Sequence, residues 1–302
     1  MGISIYKIKK WIKMLTGKSI SHVNQGVGLI YSVNDIKGYY NNLTEKVTKR
    51  PDLGDEVPMS NVDTGEIIFF PIEIFQYGLG AYDLYLLNND DFMLKKVKAV
   101  AEWAIDNQND DGSWTTFAYE NPKHPFSSMA QGEAISLLIR AYLSFHDERY
   151  LKASDKALNF MLLPLDCGGT TKYDGNDIYF YECTEDPLIL NGWIFSLWGL
   201  IDYCKFNKNN NEIKEVLNKT LISLENMLPE FDMGYWSMYE NGTRICSPFY
   251  HSLHIAQLKV MYNLTGNFIY RDFAKKFEKY QASGFNRRRA FIKKAIQKIF
   301  LE

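Results

Sequence analysis

In the stretch SPFYHSLHIAQL (247–258), His251 and His254 stand one helical turn apart, directly after Tyr250. On a helix, residues at i and i+3 share a face, so the two imidazoles could grip a metal together. A catalytic zinc site normally takes three protein ligands, and no neighbouring motif offers a third. The other reading makes the pair part of a substrate pocket. His251, nearer the helix start, would face the pocket, and His254 would be hydrogen-bonded inside. The expectation is therefore no metal site and no cofactor.

A second group of residues suits acid–base chemistry. Glu182 follows a strand-like run, Tyr239 follows the turn GYWS, Tyr250 opens the helix just described, and Arg244 lies between the tyrosines. A carboxylate, two phenols and a guanidinium answer one problem, removal of a weakly acidic proton beside a carboxylate. Arginine neutralises the substrate carboxylate through paired N–H donors. One group takes the proton, and another stabilises the charge that develops or returns a proton. Each tyrosine alone serves equally well as packing, and 20 tyrosines keep that alternative open.

These residues must be positioned by helices. From about residue 71 the chain repeats a pattern of one apolar helix followed by one amphipathic helix. The apolar members are IEIFQYGLGAYDLYLL, SSMAQGEAISLLIRAYLSF, LNGWIFSLWGLIDYC and YHSLHIAQLKVMYNLTG. From Gln76 to Gln131 is 55 residues, and Gln131 to Asn191 and Asn191 to His251 are 60 each. Such a period signals stacked helical hairpins, with the apolar helices inside and the amphipathic ones outside. The expected fold is mainly α, an incomplete α/α toroid of about four hairpins. Gln131, Asn191 and His251, at the starts of inner helices, would ring a cleft. The stretch 170–187 alternates enough to predict a hairpin at Asp174-Gly175, carrying Tyr179, Tyr181 and Glu182 to the rim. Residues 21–70 contain short β-prone runs and turn signals and predict a small β-rich or irregular segment.

The charge is unevenly spread. The chain is 302 residues long with net charge −2. Residues 1–20 and 285–301 hold lysines and arginines mixed with apolar residues and no acid, which leaves the body acidic. Each end reads as a basic amphipathic helix, resting either on an anionic membrane or on the body. An acidic body argues against nucleic acid as the main ligand. No apolar run is long enough to span a bilayer, and no secretory signal is evident. Cys167, Cys183, Cys204 and Cys246 are scattered and read as reduced thiols. The expected location is the cytoplasm, with peripheral attachment to the inner membrane face through the basic ends.

The motifs SSMAQGEAISLLIRAY, LNGWIFSLWGLID, DMGYWSMY and YHSLHIAQL together resemble the C-terminal region of the D-glucuronyl C5-epimerases, and FFPIEIFQYGLGAYDLYL resembles the segment that opens it. The resemblance covers about residues 65–281 in one order. It implies an α/α toroid preceded by β-structure, a tendency to dimerise, and conversion of glucuronate to iduronate within a polymer such as heparosan or heparan sulfate without a redox cofactor. By motif, the family's acid/base glutamate and two tyrosines fall on Glu182, Tyr239 and Tyr250. The family often has Tyr-Pro after that glutamate, where this chain has Cys183-Thr184. Arg244, His251, Gln131, Asn191 and Tyr181 are the expected substrate contacts. The organisation expected is a basic helix over 1–20, a β-rich or irregular segment over 21–70, an epimerase-like toroid over 71–284 and a basic helix over 285–302. The substrate would be a uronate-containing polysaccharide or lipid-linked oligosaccharide. Two other functions fit the same sequence. A polysaccharide lyase shares the proton abstraction, and a non-catalytic glycan-binding protein of an assembly machine needs only the cleft.

Overall fold

Helix starts are written in the sequence as Ser, Asp or Asn ahead of an apolar or amphipathic run. The computed structural model describes residues 12–14, 18–54, 56–62 and 64–300. In it the side chains of Asp90, Ser127, Asp147, Asn210, Ser247 and Asn267 each accept a hydrogen bond from a backbone N–H of the helix that follows. The helices, in chain order, are α1 (Thr44–Thr48), α2 (Pro71–Asn88), α3 (Asp91–Asp106), α4 (Ser128–Phe145) and α5 (Glu148–Met161). They continue as α6 (Leu190–Phe206), α7 (Asn211–Met227), α8 (Pro248–Thr265), α9 (Phe268–Ala282) and α10 (Gly284–Phe300). The protein is mainly helical, as the periodicity predicts. No helix among the described residues is long and apolar enough to cross a membrane.

Consecutive helices pair as hairpins: α2 with α3, α4 with α5, α6 with α7, α8 with α9. The first members also pack side by side, α2 on α4, α4 on α6 and α6 on α8. Their faces are buried nearly all round, whereas the second members keep an exposed polar side. Two glycines bring α4 and α6 together. A Cβ on Gly199 would sit 2.3 Å from the Gly132 carbonyl oxygen, and one on Gly132 would sit 2.6 Å from the Ser196 Cα. Only glycine permits that approach, and Ser196 Oγ bonds Ser128 Oγ across it at 2.8 Å.

The strands are few. β1 (Ser60–Asn61) pairs antiparallel with β2 (Ile67–Ile68), and β3 (Thr171–Asp174) with β4 (Asp177–Phe180). The second pair is the expected hairpin, with Gly175-Asn176 at its tip and Asp174 opposite Asp177. The segment ahead of α2 is largely irregular, yet Tyr39, Tyr40 and Leu43 are wholly buried in the main core. Polar ties fix it there. Tyr39 N–H donates to Asp83 at 2.7 Å, and Tyr40 OH to Asp202 at 2.7 Å. Arg140 pairs with Asp202 at 2.5 Å and donates to the carbonyls of Lys37 and Gly38. The basic N-terminal helix expected over 1–20 falls mostly outside the described residues.

Candidate active site

The first turns of α2, α4, α6 and α8 point toward one end of the row. There they meet the N-terminal segment and α10 around a cavity of about 360 Å³. Glu182, Asn191, Tyr239, Arg244 and Tyr250 all line it.

Glu182 is placed by local backbone bonds. Tyr181 N–H donates to Thr170 O at 2.9 Å, and Tyr181 O accepts from Ser128 N–H at 3.0 Å, so the chain after β4 is pinned to the start of α4. The Glu182 carboxylate then lies against the first turn of α6. Asn191 Nδ2 is 3.4 Å from Oε2, and a Cβ on Gly192 would stand only 2.2 Å from that oxygen. The glycine of the L-N-G motif thus makes room for the carboxyl group at a helix N-terminus, where partial positive charge favours an anion. Burial nonetheless pushes the Glu182 carboxyl up to about 8; the charge of Asp186 adds to this and Arg244 opposes it. Such a group is poised to exchange protons near neutral pH.

Tyr239 sits on a turn closed by its N–H bond to Arg244 O at 2.8 Å, and its carbonyl accepts from Leu190 N–H of α6 at 3.2 Å. Tyr250 is in the first turn of α8, whose start is set by Ser247 as cap and Pro248 next to it. The two rings meet edge to face, 4.8 Å between centroids. Burial, with the nearby charge of Glu182, holds the Tyr239 phenol well above its ordinary value. It therefore keeps its proton at neutral pH. Arg244 stacks 5.5 Å from the Tyr239 ring centroid. It donates to Glu240 in a short bond and to Asp186 at 3.0 Å, so two carboxylates orient it at the cavity edge.

Three expected contacts lie elsewhere. Gln131 donates to Gly112 O at 2.9 Å and Ala157 O at 3.1 Å, tying α4 to the loop after α3 and to α5 rather than facing the cavity. His251 stacks on Trp236, 3.6 Å between centroids, with Nδ1 2.8 Å from Ser237 Oγ and Nε2 3.0 Å from Phe277 O. Both its nitrogens are engaged in joining α8 to the GYWS turn and to α9. Burial drives its imidazole down to about 4 and that of His254 to about 3, so both are neutral. His254 Nδ1 approaches Cys246 Sγ and Ser237 Oγ instead of sharing a ligand with His251. Tyr181 contributes backbone bonds, and its side chain is not part of the cavity lining. A helical start sets polar residues near the cavity, but the helix turn sends Gln131 and His251 to the outer layer.

The cavity is also lined by His22, Lys46, Glu73 and Gln76, to which the sequence assigned no role, and Arg50 and Glu133 stand behind them as partners. His22 approaches Tyr250, with Nε2 3.5 Å from the phenol oxygen. Lys46 and Arg50 both pair with Glu73, at 2.7 and 2.6 Å. Gln76 donates to the buried Glu133 at 2.8 Å, whose carboxyl burial raises far above the usual range. The available signal was a charged residue inside an otherwise apolar helix, Glu73 in PIEIF and Glu133 in AQGEAI, since such a charge needs a partner. Cys183 also lines the cavity. Burial raises its thiol to about 12, so it is present as SH.

The family described as D-glucuronyl C5-epimerase C-terminus matches residues 108–279. The chain belongs to that family. The match takes in Glu182, Asn191, Tyr239, Arg244 and Tyr250, but not α2, α3, α10 or the N-terminal wall of the cavity. Among curated relatives, a D-glucuronyl C5-epimerase of Caenorhabditis elegans is 31% identical over 189 residues, which covers 53% of this chain and 31% of that protein. An uncharacterized protein of Methanocaldococcus jannaschii is 32% identical over 157 residues, covering half of each chain. The chain thus spans a third to a half of the length of these relatives.

Proposed function

We propose that the protein is a uronate C5-epimerase, converting D-glucuronate to L-iduronate residues in a polysaccharide or a lipid-linked oligosaccharide. The row of four hairpins is taken as an incomplete α/α toroid with the cavity as its substrate cleft. The observation that carries the reading is the meeting of Glu182, Tyr239, Tyr250 and Arg244 in one cavity, within the segment that defines the family.

The chemistry runs as follows. Arg244 pairs with the uronate carboxylate, and so lowers the cost of charge growing beside it when the C5–H bond breaks. Glu182, in its ionised form, takes the C5 proton. The electron pair moves into the carboxylate, giving an enolate-like intermediate. Tyr250 delivers a proton to C5 from the opposite face, and the inverted sugar leaves. Tyr239, a protonated phenol between the two, donates a hydrogen bond to the intermediate. Returning the proton from Glu182 to solvent and reprotonating Tyr250 closes the cycle. No redox cofactor enters this scheme.

Incubation of the protein with candidate glucuronans in deuterated water tests it. Deuterium at C5, with iduronate signals in the NMR spectrum, is the expected result. An unsaturated sugar absorbing in the ultraviolet would mark a lyase instead. Tight binding of a glucuronan that undergoes no C5 exchange would mark a non-catalytic binding protein.

A further inference from the structure

Helix α10 is mounted with its polarity reversed. Residues spaced three or four apart along a helix share a face. Ala290, Lys294 and Gln297 form one such line, and this line is turned to the body: Lys294 is 7% and Gln297 5% exposed. Gln297 fastens the helix there, accepting from Ile245 N–H at 3.0 Å and donating to Thr243 O at 2.6 Å. The other line, Phe285, Arg288, Ile292 and Ile296, looks outward. Phe285 is 75%, Ile292 59% and Ile296 51% exposed. An ordinary surface helix does the opposite, burying its apolar stripe. Beside the outward stripe lies a groove between α8, α9 and α10, whose lining includes Trp236, Pro248, Arg287, Arg288 and Ile292 and one carboxylate, Glu278, which is paired with Lys259 at 2.5 Å. It is largely apolar, with two guanidinium groups at its lip.

We infer that this face is a docking surface for an anionic lipid bilayer. A stripe of Phe and Ile bordered by arginines matches the two layers of a lipid surface, acyl boundary and anionic headgroups. From Lys279 to Leu301 the sequence has seven basic residues and no acid. Between residues 21 and 278 the chain is strongly acidic, which an anionic surface repels, so the charge pattern turns the basic ends, α10 among them, toward the bilayer. The same pattern disfavours a second copy as the occupant, because like-charged arginines would face each other across the two-fold contact. Lys294 and Lys298 line the substrate cavity from this helix. A docked α10 therefore brings the cavity to the membrane surface, within reach of a uronate chain attached there. That last consequence rests on the proposed epimerase reading, whereas lipid docking does not.

The test is sedimentation of the full chain with vesicles of phosphatidylcholine alone and of phosphatidylcholine mixed with phosphatidylglycerol. The protein is expected to sediment with the mixed vesicles at low salt, to be released as salt rises, and to stay in solution with phosphatidylcholine alone. Ile292→Glu with Ile296→Glu alters side chains already in solvent, so the fold and its Tm should hold while sedimentation is lost. Arg287→Gln with Arg288→Gln should weaken partitioning about thirtyfold, from about 1 kcal/mol per basic residue at an anionic surface. Equal sedimentation of the double isoleucine variant and the wild type overturns the proposal, as does a wild type that ignores anionic vesicles. A wild-type dimer in light scattering that the same variant converts to monomer, with no vesicle binding, would instead assign the face to a copy-to-copy contact.

Discussion

In the proposed mechanism Tyr250 and Glu182 carry different parts of the same proton inventory, and their variants should separate. Tyr250→Phe removes one hydroxyl and keeps the ring against Tyr239 and His22. C5 exchange should fall by roughly 10²–10⁴, the usual worth of a positioned acid or base, with little change in Tm. Exchange at the wild-type rate would return Tyr250 to packing. Glu182 supplies a pH signature. As the base it acts ionised, so exchange should rise with pH through about 8 and then level off. Glu182→Gln should lose exchange, and with it that limb. The stability sign runs the other way. The folded carboxyl sits above its unfolded value, so folding favours the protonated form, and stability is lost as pH rises from the unfolded pKa through the folded one. The Tm of Glu182→Gln should therefore gain on the wild type between acid and alkaline pH. That Tyr250 and Glu182 line one cavity was legible because each stands in an ordered series of motifs. His22 was not, because its partner lies 228 residues away and nothing local marks it.

At the scale of elements, hairpin periodicity located every long helix from α2 to α9, because period and cap residues are local properties. What it could not supply is the contact that locks the N-terminal segment between helices. Arg140 of α4 and Asp202 of α6 are both buried, and Tyr40 OH and the carbonyls of Lys37 and Gly38 complete their shells. In the sequence they are single charges in apolar helices. A buried pair that loses one member leaves the other charge without compensation. Arg140→Leu should thus lower stability by about 3–5 kcal/mol, measured as a fall in the denaturant midpoint. Adding Asp202→Leu should recover much of the loss, since two apolar side chains no longer strand a charge. If the double variant is no better than the single one, the pair is not a coupled unit and Tyr40 or the helix contact sets the cost. The Gln131 and His251 misplacements belong to this scale as well. A repeat fixes which turn of a helix a residue occupies, whereas its facing depends on how that helix is rotated against its neighbours.

For the molecule as a whole, the cavity has two owners. One wall comes from the family segment, with Glu182, Tyr239, Arg244 and Tyr250. The other comes from residues that the family match does not include, among them His22, Gln25, Lys46, Glu73 and Gln76. The second wall is also core. Tyr39, Tyr40, Leu43 and Val47 are buried against the helices, and each such side chain contributes about 1.5–3 kcal/mol. Their sum is comparable with the whole stability of a typical domain, about 5–15 kcal/mol. Removing the segment would in addition strand Asp83 and Glu73, which it now supplies with donors, and take the Tyr40 hydroxyl from Asp202. A chain beginning at residue 71 should therefore show no cooperative thermal transition by circular dichroism, although it retains every motif of the family. Point changes can part the two contributions of this wall. His22→Phe keeps a ring beside Phe249 and Tyr250 but withdraws the imidazole nitrogen that approaches the phenol. It should leave Tm nearly unchanged and lower C5 exchange. A cooperative melt of the chain from residue 71 at the Tm of the full protein would show that the helical row stands alone, and that the N-terminal wall belongs to the substrate and not to the fold.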